Sequence, residues 1–285
     1  MTILCGTDFT PAAAEAVRVA SGWARATREE LLLVHALAPG SAELQTKLAE
    51  QLTAEASALI AAGVPSRCAL ETGTIHEQII ALAQRSRAAL VVLGALGRRA
   101  GSGWKLGSTA DLVARGVRAP LIVVREPAPL ERWLAGSAPL KVAVAYEISP
   151  TADAALAWAA GLARLAPIEL VLVHAYSLED ERRKRGLKGP LPIGGADARL
   201  EEPLRREIEA HVAGLKLGVA ATLVARGGLG RPADQLVEMA AELGAGLVAV
   251  GNHHRAGVER AWKGSVSRGV IELARMSVAC VSEHG

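Results

Sequence analysis

Ile3-Leu4-Cys5-Gly6-Thr7-Asp8-Phe9-Thr10-Pro11 is an apolar run that meets a carboxylate, then a hydroxyl and a proline. The unbroken apolar start suits a strand covered on both faces, as in a parallel sheet, where alternation with polar residues is lost. Thr10-Pro11 then predicts a helix start. A Thr hydroxyl can accept a first-turn N–H, and Pro is harmless where its missing N–H would have no partner. The stretch is therefore a strand, a turn and a helix, and the chain contains it twice. Val142-Ala143-Val144-Ala145-Tyr146-Glu147-Ile148-Ser149-Pro150 repeats it, with Glu147 lying 139 positions after Asp8.

Further matches extend the repeat. Leu31-Leu32-Leu33-Val34-His35-Ala36 returns as Leu170-Val171-Leu172-Val173-His174-Ala175, again at 139. Leu90-Val91-Val92-Leu93-Gly94 returns as Leu247-Val248-Ala249-Val250-Gly251, and Gly107-Ser108 as Gly264-Ser265, both now at 157. Two constant offsets that change once describe a duplicated domain with one net insertion of 18 residues. A period this long is a whole domain, not a solenoid unit. The insertion falls at about 177–199, a charged, Gly- and Pro-rich stretch that reads as a loop. Its basic run, Arg182-Arg183-Lys184-Arg185, reads as a solvated face, with docking of a partner as the alternative.

In the first copy, strands are expected near 2–7, 30–36, 67–71, 89–94 and 120–125, and helices near 11–26, 41–62, 74–87 and 108–116. Such alternation calls for a parallel sheet with right-handed crossovers. The expected organisation is a first domain at 1–126, a linker at 127–139 carrying prolines and few helix signals, and a second domain at 140–285. Composition agrees, because 51% of residues are hydrophobic but only 3% aromatic, so aliphatic side chains must build the core. A net charge of +3 gives no footprint for nucleic acid or a membrane surface. Cys5, Cys68 and Cys280 are odd in number and far apart, which fits reduced, packed thiols rather than a disulfide framework or a zinc site. No apolar stretch approaches the ~20 residues of a membrane helix, and no signal peptide is recognisable, so a cytoplasmic location is expected.

The segment with most chemistry is Gly94-Ala-Leu-Gly97, nine residues, then Gly107-Ser108-Thr109 at a helix start. Glycines let backbone approach a ligand, and a helix N-terminus offers N–H donors and a favourable dipole to phosphate oxygens. Ser108 and Thr109 add hydroxyls, and Arg98 and Lys105 could add charge. Other patterns carry less. Gly228-Leu-Gly230-Arg-Pro-Ala233 lacks the acidic residue of a dinucleotide fingerprint and reads as a loop. His253-His254 has no third metal ligand at suitable spacing. Neither a Gly-Lys pair nor a Gly-x-Ser-x-Gly elbow occurs.

Gly94, Gly97, Gly107 and Ser108 match the Gly-x2-Gly-x9-Gly-(Ser/Thr) signature of ATP-binding universal stress proteins, and Thr7-Asp8-Phe9-Thr10, Val34-His35 and Ala119-Pro120-Leu121 fall in register with the same family. The chain thus resembles two tandem universal stress protein domains. The resemblance implies two Rossmann-like, adenine nucleotide alpha hydrolase-like domains, each a five-stranded parallel α/β sandwich. It also implies that Gly6, Thr7 and Asp8 hold the adenosine end, that Ala36 borders the adenine, and that the glycine loop with Gly107, Ser108 and Thr109 cradles the triphosphate, accompanied by Mg2+. The family pairs its last strands, so 121–124 and 278–281 could make an intrachain pseudo-dimer, with a homodimer of chains also open. The second copy departs from the signature, with Glu147 for the aspartate and His254 for the second glycine. The expected role is an ATP-binding stress-response regulator and not an enzyme. A slow ATPase and a nucleotide-independent scaffold for an unknown protein partner are the alternatives.

Overall fold

The structure is a computed structural model that describes residues 1–96, 106–187, 197–228, 230–252 and 266–283. The first copy runs β1 (Thr2–Gly6), α1 (Pro11–Thr27), β2 (Glu30–Leu37), α2 (Ala42–Ala61), β3 (Ser66–Thr72), α3 (Ile75–Arg85), β4 (Ala88–Gly94), α4 (Ser108–Gly116) and β5 (Leu121–Val124). A helix α5 (Ala128–Leu134) follows. The second copy runs β6 (Leu140–Ala145), α6 (Pro150–Gly161), β7 (Ile168–Ser177), α7 (Leu178–Lys184), α8 (Ala198–Gly214), β8 (Ala221–Gly228), α9 (Pro232–Glu242), β9 (Leu247–Asn252), α10 (Val266–Leu273) and β10 (Ser277–Ser282).

The strands of the described residues form one ten-stranded sheet in the order β3-β2-β1-β4-β5-β10-β9-β6-β7-β8. Every pairing is parallel except the central one, where β5 and β10 run antiparallel with Val123 opposite Val278, Ile122 opposite Ala279 and Leu121 opposite Cys280. Each copy is therefore a 3-2-1-4-5 Rossmann-like sheet, and the two copies meet through their last strands. Side chains from α1, α2 and α5 cover one sheet face, and those from α3 and α4 the other. Both cores continue into the second copy, which makes the pair one packed body. Cys5 and Cys280 lie inside it as free thiols, and burial pushes the Cys280 thiol up to about 12.

Contacts across the central seam reach the helices on either side. Asn252 donates through Nδ2 to the Ala114 carbonyl at 2.5 Å, inside the protein. Ile271, 157 positions after Ala114, receives Arg125 at 2.8 Å. Arg268 lies 3.6 Å from Asp111, which also binds Arg115 at 2.5 Å, while Arg268 binds Glu272 at 2.8 Å. Asn252→Ala removes a buried donor and leaves the Ala114 carbonyl short of a partner, so it should cost about 1–3 kcal/mol in chemical unfolding. A midpoint equal to wild type would show that the bond contributes nothing.

Two segments differ from the sequence-based expectation. The stretch expected as a plain linker carries α5, whose Leu130 and Trp133 are fully buried against the core beside α1. Pro127 directly precedes this helix, where proline interrupts no hydrogen bond. The insertion expected as a loop begins with α7, whose Leu178 joins Tyr176 of β7 and Leu200 and Leu204 of α8 in a small separate core. Within its basic run only part is solvated: Arg182 is 4% exposed and holds Asp197 at 2.6 Å. Asp197 also caps α8 and accepts from Arg199, and these interactions hold its carboxyl at about 2, below its ordinary 3.8. A depressed carboxyl contributes fully above its ordinary value and loses that contribution as pH falls through the folded value. Stability measured in urea should therefore drop between pH 4 and pH 2, and Asp197→Asn should flatten that part of the profile. Equal slopes for the two proteins would rule the pair out as a source of acid sensitivity.

Candidate nucleotide site in the first copy

In a 3-2-1-4-5 sheet the chain reverses its winding direction between β1 and β4, and a crevice opens beyond their carboxyl ends. The residues that follow those two strands supply the site. After β1 comes the turn at Thr7-Asp8-Phe9-Thr10. Asp8 Oδ1 accepts from the Thr10 amide at 3.2 Å and from its hydroxyl at 2.6 Å, and the Thr10 hydroxyl caps α1 by accepting from Ala13 N at 3.3 Å. Phe9 sits at φ 62, a left-handed conformation that is uncommon for a bulky residue and costs energy unless its surroundings enforce it. Here the Asp8–Thr10 bonds hold the turn, and the Phe9 ring stacks on His35 with centroids 4.9 Å apart. His35 is buried, with Nδ1 2.7 Å from the Thr7 carbonyl, so it braces the turn from within.

Beyond β4 the backbone is equally constrained. A Cβ on Gly94 would lie 2.7 Å from the Ala12 carbonyl oxygen and 2.9 Å from its carbon, so glycine alone lets α1 pack here. Ala95 N donates to the Val124 carbonyl at 2.9 Å, and Gly107 N returns to the Ala95 carbonyl at 2.8 Å. That return places Gly107, Ser108 and Thr109 at the end of β4. Gly107 is the N-cap of α4 and has no side chain to cap it, while Ser108 is exposed in the first turn. Among the described residues no side chain caps the first amides of α4, an arrangement in which a helix N-terminus attracts anions.

The structure places Gly6, Thr7 and Asp8 at the end of β1 and Gly94, Gly107, Ser108 and Thr109 at the end of the adjacent β4, with Ala36 buried near the end of β2. Gly97, Arg98 and Lys105 of the expected phosphate loop lie outside the described residues, as do His253, His254, Gly264 and Ser265 of the second copy. Among the described residues no three His, Cys, Asp or Glu side chains cluster as a metal site.

The second copy keeps the scaffold and changes its contents. Gly251 is pressed on Thr151 as Gly94 is on Ala12, with a hypothetical Cβ 2.6 Å from the Thr151 carbonyl. His174 braces the first turn through the Tyr146 carbonyl at 2.8 Å, as His35 does through Thr7. Buried Tyr146 replaces Thr7, however, and exposed Glu147 replaces Asp8. The Tyr146 hydroxyl donates to Asp153 Oδ1 at 2.5 Å, and His211 Nε2 lies 2.9 Å from Asp153 Oδ2. Reading for motifs misses this network. Aligning the copies at offset 139 exposes it, since Thr7 meets Tyr146 and Ala14 meets Asp153.

The sequence profile of the universal stress protein family matches residues 1–125 and again residues 140–282. The chain belongs to the universal stress protein family. A universal stress protein of Mycobacterium tuberculosis (strain H37Rv) is 30% identical over an alignment of 308 residues that covers 99% of this chain and 96% of the relative. Another, from Mycobacterium bovis, is 31% identical over 193 residues, covering 68% of this chain and 61% of the relative. The crystal structure of a universal stress protein from Archaeoglobus fulgidus covers 99% of this chain and 98% of its own with a TM-score of 0.74 at 19% identity, a likeness of fold. Among the described residues no helix is long and apolar enough to cross a membrane.

Proposed function

We propose that the first copy of this universal stress protein binds ATP and that nucleotide occupancy regulates a stress response through the second copy. The observation that carries this reading is the N-terminus of α4, which no side chain caps among the described residues, set against the end of β4 beside β1. Its first amides and the Ser108 and Thr109 hydroxyls suit phosphate oxygens, and the braced turn at Thr7–Thr10 suits the nucleoside end. A divalent ion such as Mg2+ would take ligands from the phosphates, hydroxyls and water, since the described residues offer no carboxylate cage.

Binding rather than turnover is the role proposed. The Asp8 carboxylate is occupied by the Thr10 amide and hydroxyl, which disfavours it as a general base. The helix that would meet phosphate is also the one tied across the seam, through Ala114 to Asn252 and through Asp111 to Arg268. A shift of α4 on filling the site would therefore be felt in the second copy.

Calorimetric titration of the whole chain with ATP and Mg2+ tests the reading. One site per chain is expected, because the second copy lacks the aspartate and the second glycine of the signature. Two equal sites would overturn the division of roles, and no binding would leave a nucleotide-independent scaffold.

A further inference from the structure

Residues along β1 and β2 alternate between the two faces of the sheet. Cys5 and Leu33 belong to the core beneath α1, α2 and α5, whereas Leu4, Val34 and Ala36 belong to the core beneath α3 and α4. Gly6 lies on the second side, since its missing Cβ would point at Leu93 and Ile79. Thr7 continues the Cys5 side, and there it borders a cavity of about 220 Å³ with Phe9, Ala14, Gln51 and Glu55. This cavity opens between α1 and α2, on the face of the sheet opposite Gly6 and Ala36, and shares Thr7 and the turn after β1 with the site assigned to nucleotide.

Its chemistry is unbalanced. Glu55 Oε2 is buried and has no hydrogen-bond partner among the described residues, although proteins pair nearly all such atoms. Burial pushes the Glu55 carboxyl up, and burial together with Glu55 pushes up the Cys5 thiol beneath it. The wall thus combines an unmet acceptor, an aromatic ring, a hydroxyl and an amide.

The second copy shows the same place filled. Helices α2 and α8 align at offset 156, one short of the 157 found at β4 and beyond, and there Leu48, Leu52 and Leu59 correspond to Leu204, Ile208 and Leu215, all buried or half-buried. At that offset Glu55 corresponds to His211, while Thr7 and Ala14 correspond to Tyr146 and Asp153. In the second copy these three side chains satisfy one another through the Tyr146–Asp153 and His211–Asp153 contacts. In the first copy two of them are cut back to Thr and Ala, and the third is a carboxyl whose Oε2 is bonded by neither.

We propose that this cavity of the first copy is a binding site for a small organic ammonium ion, with its N–H groups on Glu55 and its charge against the Phe9 ring. A carboxylate and an aromatic ring on one wall recognise cations by hydrogen bonding and by attraction to the ring quadrupole. The Thr7 hydroxyl and the Gln51 amide oxygen can accept further N–H groups. The volume admits a few non-hydrogen atoms and falls short of the ~300 Å³ at which drug-sized pockets begin.

Ligand-observed NMR titration of the full chain without nucleotide tests the site, using n-butylammonium chloride and its neutral isostere n-butanol. Wild type should bind butylammonium saturably at one site with Kd of about 1 mM. Butanol should bind at least about tenfold more weakly, as should butylammonium to Glu55→Gln, since each lacks one partner of the charged hydrogen bond. The double variant Thr7→Tyr/Ala14→Asp, which copies the second half, should bind neither. Glu55→Gln is nearly isosteric, and an unchanged thermal midpoint would certify its fold. Equal affinity for butanol, equal affinity in Glu55→Gln, or no saturable binding to wild type would each overturn the assignment. None of these outcomes depends on whether the protein binds ATP.

Discussion

Gly94→Val is expected to lose about 3 kcal/mol of stability or more, with loss of ordered structure at the candidate nucleotide site. A first side-chain atom at Gly94 would stand 2.7 Å from the carbonyl oxygen of Ala12 and 3.3 Å from the amide of Ala13. Those are backbone atoms at the start of α1, so no rotamer change can relieve the clash. The helix must back away from β4, and the turn capped by Thr10 moves with it. Urea unfolding would show the loss as a lower midpoint. Gly63→Ala makes the control, because Gly63 has φ 78 and a Cβ added there would meet nothing within 4 Å among the described residues. Its cost should be conformational alone, about 1 kcal/mol. If the two substitutions cost the same, close packing at Gly94 is not what requires glycine.

Ser108→Glu is expected to lower ATP affinity about a hundredfold while leaving the protein as stable as wild type or slightly more so. Ser108 is exposed in the first turn of α4, where a carboxylate interacts favourably with the helix dipole by about 0.3–1 kcal/mol. The same charge would occupy the space proposed for phosphate. A repulsion of about 2–3 kcal/mol at near contact, in the dielectric of a protein surface, corresponds to that loss in affinity. The two readouts move in opposite directions, so unfolding cannot imitate the result. Retention of wild-type affinity would remove the phosphates from α4.

The comparison of copies explains why some of this was legible and some was not. Strand and helix positions followed from unbroken apolar runs and from Thr10-Pro11 and Ser149-Pro150, where local chemistry and tertiary structure agree. The helix α5 was hidden by its prolines, although Leu130 and Trp133 stand three apart, as one face of a helix requires. Arg182 could not be recognised as buried, because Asp197 lies fifteen residues away across the insertion. Within the site, Gly94 and Gly107 were readable as a motif, yet Gly251 shows that the first of these glycines is demanded by helix packing even where the rest of the signature has decayed. Glu55 belongs to no motif. Its setting emerges only when α2 folds over the end of β1.

The charges at the central seam carry one more implication, about which halves can recognise each other. Asp111 and Arg268 occupy the same position in the two copies, as do Arg115 and Glu272, so the sign of each charge is inverted between them. Across the approximate two-fold axis, position 111 therefore meets its opposite. A first copy docked onto another first copy would set carboxylate near carboxylate, and two second copies would set guanidinium near guanidinium. Single pairs of this kind are worth no more than about 1 kcal/mol, but β5 and β10 can each be paired only once, and a small bias then decides the occupant. Expressed as separate polypeptides, the halves should sort into mixed pairs. The duplication has become a heterodimer on one string, with a built-in preference for unlike partners.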